Sequence, residues 1–178
     1  DGRNIDPDIF QSSDFFGLWH VVAPAVEAGR QVEGTPQRET QSGGSGDDTL
    51  LGSAGDDLLD GGGGFDMVDY GAATGRVVAD LADPAANAGL AAGDRYDGIE
   101  GLAGGRFGDG LRGDAGANRL EGRGGGDVLA GRGGDDQLDG GAGDDRLLGG
   151  AGADRLIGGT GRDWASYAQA SGRVEVDL

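Results

Sequence analysis

A unit of nine residues, rich in glycine and aspartate, recurs along this chain without losing phase, and no other feature restricts the fold so tightly. From Gly104 seven units follow one another: GGRFGDGLR, GDAGANRLE, GRGGGDVLA, GRGGDDQLD, GGAGDDRLL, GGAGADRLI and GGTGRDWAS. Three more, GGSGDDTLL, GSAGDDLLD and GGGGFDMVD, run from Gly43 to Asp69. The sixth position is filled by Asp48, Asp57, Asp66, Asp109, Asn118, Asp127, Asp136, Asp145, Asp154 and Asp163 in turn, and the eighth is apolar throughout. A fixed period of this kind marks a stacked repeat protein, in which each unit buries its apolar residue only against its neighbours. A flexible glycine-rich linker would hold neither the phase nor the spaced leucine.

A longer repeat overlies the short one. GGGGFDMVDYGAATGRVVADL (residues 61–81) matches GGTGRDWASYAQASGRVEVDL (residues 158–178) without a gap. In both copies the nonads hand over to Tyr70 or Tyr167, then to the alternations Val77-Ala79-Leu81 and Val174-Val176-Leu178, whose period of two is that of a strand. Residues 83–94 read as a loop. The stretch YDGIEGLAGG then restores the phase, with Glu100 and Leu102 at positions six and eight of a nonad.

The pattern G-G-x-G-x-D-x-U-x, with U a large apolar residue, resembles the RTX repeat of hemolysin-type calcium-binding proteins, and the resemblance covers residues 43–178. The insertions GRVVADL and YDGIEGL are similar to those in RTX regions of secreted bacterial proteins. The resemblance implies an all-β fold, a right-handed parallel β-roll. It also implies export of the parent protein in an unfolded state by a type I secretion apparatus, and hence a secreted or cell-surface location.

In such a roll the first six residues of a unit form a turn, the last three a short strand, and two units complete one coil. Residues eighteen apart then stack. Asp109, Asp127, Asp145 and Asp163 fall on one side, and Asn118, Asp136 and Asp154 on the other. Carboxylates brought to the inter-strand spacing repel one another, and a cation between turns removes the repulsion. Calcium suits the donors, since it is hard and takes six to eight oxygens, including backbone carbonyls; magnesium demands tight octahedral geometry and keeps its waters. Zinc prefers nitrogen and sulfur, and the chain has one histidine and no cysteine. One buried apolar residue per nonad falls far short of the cost of ordering nine residues, so folding is expected to depend on the ion.

The pairs Asp48/Asp66, Asp109/Asp127, Asn118/Asp136, Asp127/Asp145, Asp136/Asp154 and Asp145/Asp163 lead to an expectation of about six calcium ions, uncertain by two or three. Asp57 has no in-phase partner, although its position makes it a candidate ligand, and Asp80 and Asp97 are further candidates near the block junction. The fifth-position acids Asp47, Asp56, Asp135 and Asp144 are expected to be solvated. Trp164, at position seven, is expected to be covered by the strand that follows it.

Acids outnumber Lys and Arg 32 to 14, and the net charge of −18 argues against nucleic-acid binding and against anionic membrane surfaces. No stretch approaches the length of a membrane span. Neither an HExxH helix nor a GxSxG elbow occurs, so the chain carries no recognisable catalytic constellation. Residues 1–42 lack the repeat. Asp6-Pro7 suits a helix N-cap followed by proline at the first helical position, Pro24 should interrupt any helix, His20 reads as structural, and RQVEGTPQRETQSGG reads as a polar linker. Residues 1–42 are therefore expected to be a flanking or capping segment, and 43–178 the roll, with nonad blocks 43–69 and 104–166 joined by 70–103. The chain, which opens on aspartate and stops at VEVDL, is expected to be a piece of a longer protein. It is expected to act as a monomeric calcium-binding module that supports the folding of that protein. The alternatives are an adhesive or surface-binding module, or the C-terminal tail of a secreted hydrolase or peroxidase.

Overall fold

A computed structural model describes residues 29–178 together with the short strand His20–Val21. The readings at Asp6-Pro7 and Pro24 lie outside the described residues, as does the side chain of His20. In chain order the strands are β1 (His20–Val21), β2 (Gln31–Val32), β3 (Glu39–Ser45), β4 (Thr49–Leu51), β5 (Leu58–Gly63), β6 (Met67–Asp69), β7 (Val78–Asp80), β8 (Arg95–Asp97), β9 (Gly101–Ala103), β10 (Gly110–Arg112), β11 (Arg119–Glu121), β12 (Val128–Gly133), β13 (Gln137–Ala142), β14 (Arg146–Ala151), β15 (Arg155–Thr160), β16 (Trp164–Ser166) and β17 (Glu175–Asp177). Successive strands alternate between two faces, except that β7 and β8 lie on the same one. One face is an eight-stranded sheet, β17-β15-β13-β11-β9-β6-β4-β2; the other is split into β1-β3-β5-β8 and β16-β14-β12-β10-β7. Every pairing between these strands is parallel. The molecule is a parallel β-roll of about eight turns.

Within the blocks the register is the one the nonad demands: Leu111 pairs with Leu129, Leu129 with Leu147, Leu120 with Leu138 and Leu138 with Leu156. Position eight thus forms two facing ladders, and Leu50, Leu59, Val68, Leu102, Leu111, Leu120, Leu129, Leu138, Leu147 and Leu156 are all buried in one continuous core. Strands β5 and β12 to β15 are six residues long rather than three, because pairing continues into the glycines of the next turn, as at Gly141↔Gly159. The turn after those residues needs glycine. Gly143 has φ +136°, and a Cβ there would strike the Gly125 carbonyl of the preceding coil. A side chain would meet both the left-handed backbone and the neighbouring coil.

One sequence expectation changes. The stretch read as a polar linker is the first coil: β2 and β3 already belong to the sheets, with Val32, Glu39 and Gln41 buried. Residues 34–42, GTPQRETQS, are a nonad in phase with Gly43, disguised by Glu39 at position six and Gln41 at position eight. Its polar interior is served locally, with Glu39 accepting from the Thr35 N–H and hydroxyl and from the Gln41 amide. The loop 83–94 contains two short 3-10 turns, Pro84–Ala86 and Gly89–Ala91, and folds back on β7 through an antiparallel bridge between Val78 and Ala88.

That loop explains the split face. β6 and β9 are neighbours in the eight-stranded sheet, yet the chain between them makes two strands on the opposite face. β7 runs forward to pair with β10, and β8 returns to pair with β5. The buried Tyr70 ring packs beside them, its hydroxyl 2.8 Å from Asp94 and 2.7 Å from the Tyr96 hydroxyl.

Candidate metal centres in the turns

Tight turns at both edges of the roll stack the sixth-position side chains into ladders, and each rung has the same form. The Asp109 N–H donates to Asp127 Oδ1 (2.6 Å), the Asp127 N–H to Asp145 Oδ1 (2.7 Å) and the Asp145 N–H to Asp163 Oδ1 (3.0 Å). On the other edge Asp48 donates to Asp66 Oδ1 (2.7 Å), Asn118 to Asp136 Oδ1 (2.8 Å) and Asp136 to Asp154 Oδ1 (3.2 Å). The eighteen-residue stacking expected from the repeat is therefore present.

One oxygen of each carboxylate is thus bound to the neighbouring coil, and the other is where the rungs differ. Among the described residues, Oδ2 of Asp48, Asp66, Asp127, Asp136, Asp145 and Asp154 is buried without any hydrogen-bond partner. Each faces a gap kept open by a missing side chain. A Cβ on Gly122 would meet Asp127 Oδ2 and the carbonyl of Gly140, and one on Gly131 would meet Asp136 Oδ2 and the carbonyl of Gly149. A carboxylate oxygen and the next coil's carbonyl therefore line the same small space. Leaving a buried carboxylate oxygen unpaired is costly, and a hard cation relieves it. No group of three or more His, Cys, Asp or Glu side chains gathers among the described residues, so an ion here takes carbonyl oxygens for the rest of its shell, as calcium readily does.

Burial dominates the electrostatics of the ion-free ladder. It pushes Asp127 and Asp136 up to about 7, against the hydrogen bonds from the Asp109 and Asn118 amides and with the help of the stacked carboxylates. Asp66 and Asp145 are raised by the same cause.

Of the remaining candidates, Asp57, Asp80, Asp109 and Asn118 are already satisfied. Asp57 accepts from the Glu39 N–H and the Ser53 hydroxyl, and it has a partner that the spacing hid, since its own N–H donates to Asp94 Oδ1 (3.1 Å). Asp109 accepts from Val77 and Gly105, and Asn118 accepts from Asp114 while donating to the Glu100 carbonyl. Asp163 sits half-buried at the end of its ladder. Asp94 and Glu100, not Asp80 and Asp97, extend the ladders at the junction. Asp97 is exposed, and Asp80 is held by a bidentate pair with Arg132 (2.7 and 2.6 Å). Burial opposes the Asp80 charge, but the guanidinium outweighs it and holds the carboxyl below its usual range. Arg123 grips Asp69 in the same way, with the same effect.

The fifth-position acids are exposed, yet three of them tie coils together: Asp47, Asp135 and Asp144 accept from the backbone of Phe65, Ala153 and Arg162, each eighteen residues on. Trp164 is not covered. It is 49% exposed, and the Arg146 guanidinium lies 4.7 Å from its ring centre. The strand after it, β17, pairs with β15 on the opposite face.

Fold and turns together define a calcium-binding repeat module. A family model for the RTX calcium-binding nonapeptide repeat (four copies) matches residues 34–72, 103–138 and 131–165, more than half the chain, and the chain belongs to that family. None of the curated proteins matches it. No helix among the described residues is long and apolar enough to cross a membrane.

Proposed function

We propose that this chain is a calcium-responsive folding module of a secreted protein, disordered at low calcium and folded once the turns are filled. The observation that carries this reading is the row of buried, unpartnered Oδ2 atoms on Asp48, Asp66, Asp127, Asp136, Asp145 and Asp154. On this reading those six aspartates, with Asp163 at the stack end, are the principal side-chain ligands, and glycine carbonyls complete each shell. Asp57, Asp109 and Asn118 serve mainly to hold the turns. Calcium supplies positive charge between the coils when bound. The chain supplies oxygens at the coil spacing, glycines that leave room for the ion, and leucines that exclude water from the interior.

The physiological logic follows from affinity. Loop sites of this kind fall in the range of extracellular modules, about 10⁻⁴ to 10⁻³ M. They stay empty in a low-calcium cytosol, where a chain destined for type I export remains unfolded, and they fill outside the cell. Far-UV circular dichroism of the full chain in EGTA, then in millimolar calcium, tests the coupling. A coil spectrum that converts to β with calcium, and far less with equal magnesium, is the expected result. A full β spectrum in EGTA overturns the proposal.

A further inference from the structure

We infer that the two repeat blocks are joined by a calcium site of their own, formed by Asp66, Glu100 and the Gly98 carbonyl in a turn that is not a nonad. The inference rests on the calcium reading above. Asp66 is fully buried, its Oδ1 is engaged by the Asp48 N–H, and its Oδ2 has no partner. Within a block, the next rung would come from an aspartate eighteen residues on, but position 84 is a proline in the loop. Glu100, thirty-four residues on, takes the rung instead: its Oε2 accepts the Asp66 N–H at 2.9 Å, while the Glu100 and Gly101 N–H groups both donate to the Asp66 carbonyl (3.0 and 2.9 Å).

The second ligand type is present too. A Cβ on Gly61 would meet Asp66 Oδ2 and the Gly98 carbonyl, the same combination found at Gly122 and Gly131 within the regular block. Gly98 is left-handed (φ +57°), which turns the chain within two residues where a nonad uses five between its first glycine and its aspartate. The shorter turn accounts for glutamate, whose extra methylene reaches the ladder from a more distant backbone. The charged groups acting most strongly on Asp66, namely Glu100, Asp48 and Asp47, are all acidic.

The other edge is organised differently. There the ladder Glu39–Asp57–Asp94 stops at the Tyr70 hydroxyl, and the ladder from Asp109 begins on the Val77 amide. The edge carrying Asp48, Asp66, Glu100, Asn118, Asp136 and Asp154 continues through the junction, its step beyond Glu100 made by the Asn118 side-chain amide donating to the Glu100 carbonyl (3.2 Å) in place of an amide-to-carboxylate rung. An ion at Asp66/Glu100 therefore makes the folding of one block depend on the other.

Calcium binding by the full chain, measured by equilibrium dialysis and by a titration followed by limited proteolysis, tests this with Glu100→Gln and Asp145→Ala side by side. Glutamine keeps an oxygen for the Asp66 amide while removing the charge and the second oxygen. Glu100→Gln is expected to bind about one ion fewer, and the two blocks should become protected at separate calcium concentrations instead of together. If Glu100→Gln keeps the full complement and a single midpoint while Asp145→Ala loses an ion, the junction site is wrong and the calcium reading stands. If the parent chain binds no calcium, that reading itself falls. Glu100→Asp, which keeps the charge but shortens the reach, decides the matter should the glutamine variant fail to fold. It is expected to fill the junction site at severalfold higher calcium, and an unchanged midpoint overturns the inference.

Discussion

Six of the sixth-position aspartates, Asp48, Asp66, Asp127, Asp136, Asp145 and Asp154, divide their two oxygens between separate tasks. One accepts the amide of the preceding coil and so fixes the spacing; the other is left for a cation. Asp145 does both, with Oδ1 on Asp127 and Oδ2 buried and unpartnered, and it lies between two rungs of its ladder. Asp57 has protein donors on both oxygens. Asp145→Ala should therefore raise the calcium midpoint of folding markedly, and Asp57→Ala should move it far less, in a titration followed by circular dichroism. Equal midpoints would remove orphaned oxygens as the basis of the sites. Protons should stand in for calcium in part. Asp127 and Asp136 titrate near 7 in the folded, ion-free ladder against an ordinary value of 3.8, so folding without calcium takes up protons between those values. Stability of the ion-free roll then grows as pH falls through that window and is lost as pH rises through about 7. In EGTA the β content should be higher at pH 5 than at pH 8; a flat profile would mean that the ladders are not desolvated before calcium binds.

At the level of the turn and its strand, position two shows how the roll handles a break in its own pattern. Glycine there adopts positive φ, as at Gly141, Gly150 and Gly159, but Arg123 and Arg132 hold the same left-handed conformation with φ +71° and +79°. Such a backbone is unfavourable for a branched or long side chain, and what offsets it is contact across coils. Arg132 binds Asp80 and the Gly113 carbonyl; Arg123 binds Asp69 and the Gly104 carbonyl. Each guanidinium reaches over the first turn of the second block to the strand before it, so both edges are clamped where the regular stack begins. Arg132→Gly removes the backbone strain, worth about 1 kcal/mol, but strips the bidentate partner from an almost fully buried Asp80, leaving it Arg112 at 4.0 Å and the Ala82 and Asp83 amides, which costs more. Since Arg132 is itself partly exposed, the expected net loss is modest, about 1–2 kcal/mol in denaturant unfolding at saturating calcium. A variant more stable than the parent would show that strain outweighs the clamp.

Over the whole molecule the roll behaves as a one-dimensional stack, in which each coil is held by the coil on either side. The duplicated segment makes the consequence visible. In the first copy Tyr70, Val77 and Ala79 are buried beneath the coil that follows. In the second copy their counterparts Tyr167 and Val176 are exposed, along with Leu178, because β16 and β17 lie at the ends of their sheets. Identical patterning thus gives a core in one place and a surface in the other. Hydrogen exchange in saturating calcium should follow this order, with amides of β16 and β17 exchanging well before those of β12 and β13. Uniform protection along the chain would contradict a stack held by nearest neighbours. Trp164, stacked on Arg146 at the outer face, should report only a small emission shift on folding.

The period determined that the units stack with the leucines buried and the aspartates in rows. That two units close one coil is what the resemblance to RTX repeats implied, and the registers Leu111↔Leu129 and Leu120↔Leu138 bear it out. The preference for calcium was equally legible, since it depends on donor type rather than position. What the repeat could not reveal lies where it is interrupted. Glu39 and Gln41 hid a whole nonad, because polar residues at positions six and eight erase the pattern while local hydrogen bonds from Thr35 keep the shape. Asp94 and Glu100 enter the ladders after insertions of irregular length, so no fixed spacing could match them to Asp57 and Asp66. The distinction between carboxylates that await an ion and those already satisfied was likewise decided by tertiary contacts, for it turns on whether a Ser53 hydroxyl or a Gly105 amide reaches the second oxygen. Short-range periodicity sets which residues stack; only the packed coils set which of their atoms are left without a partner.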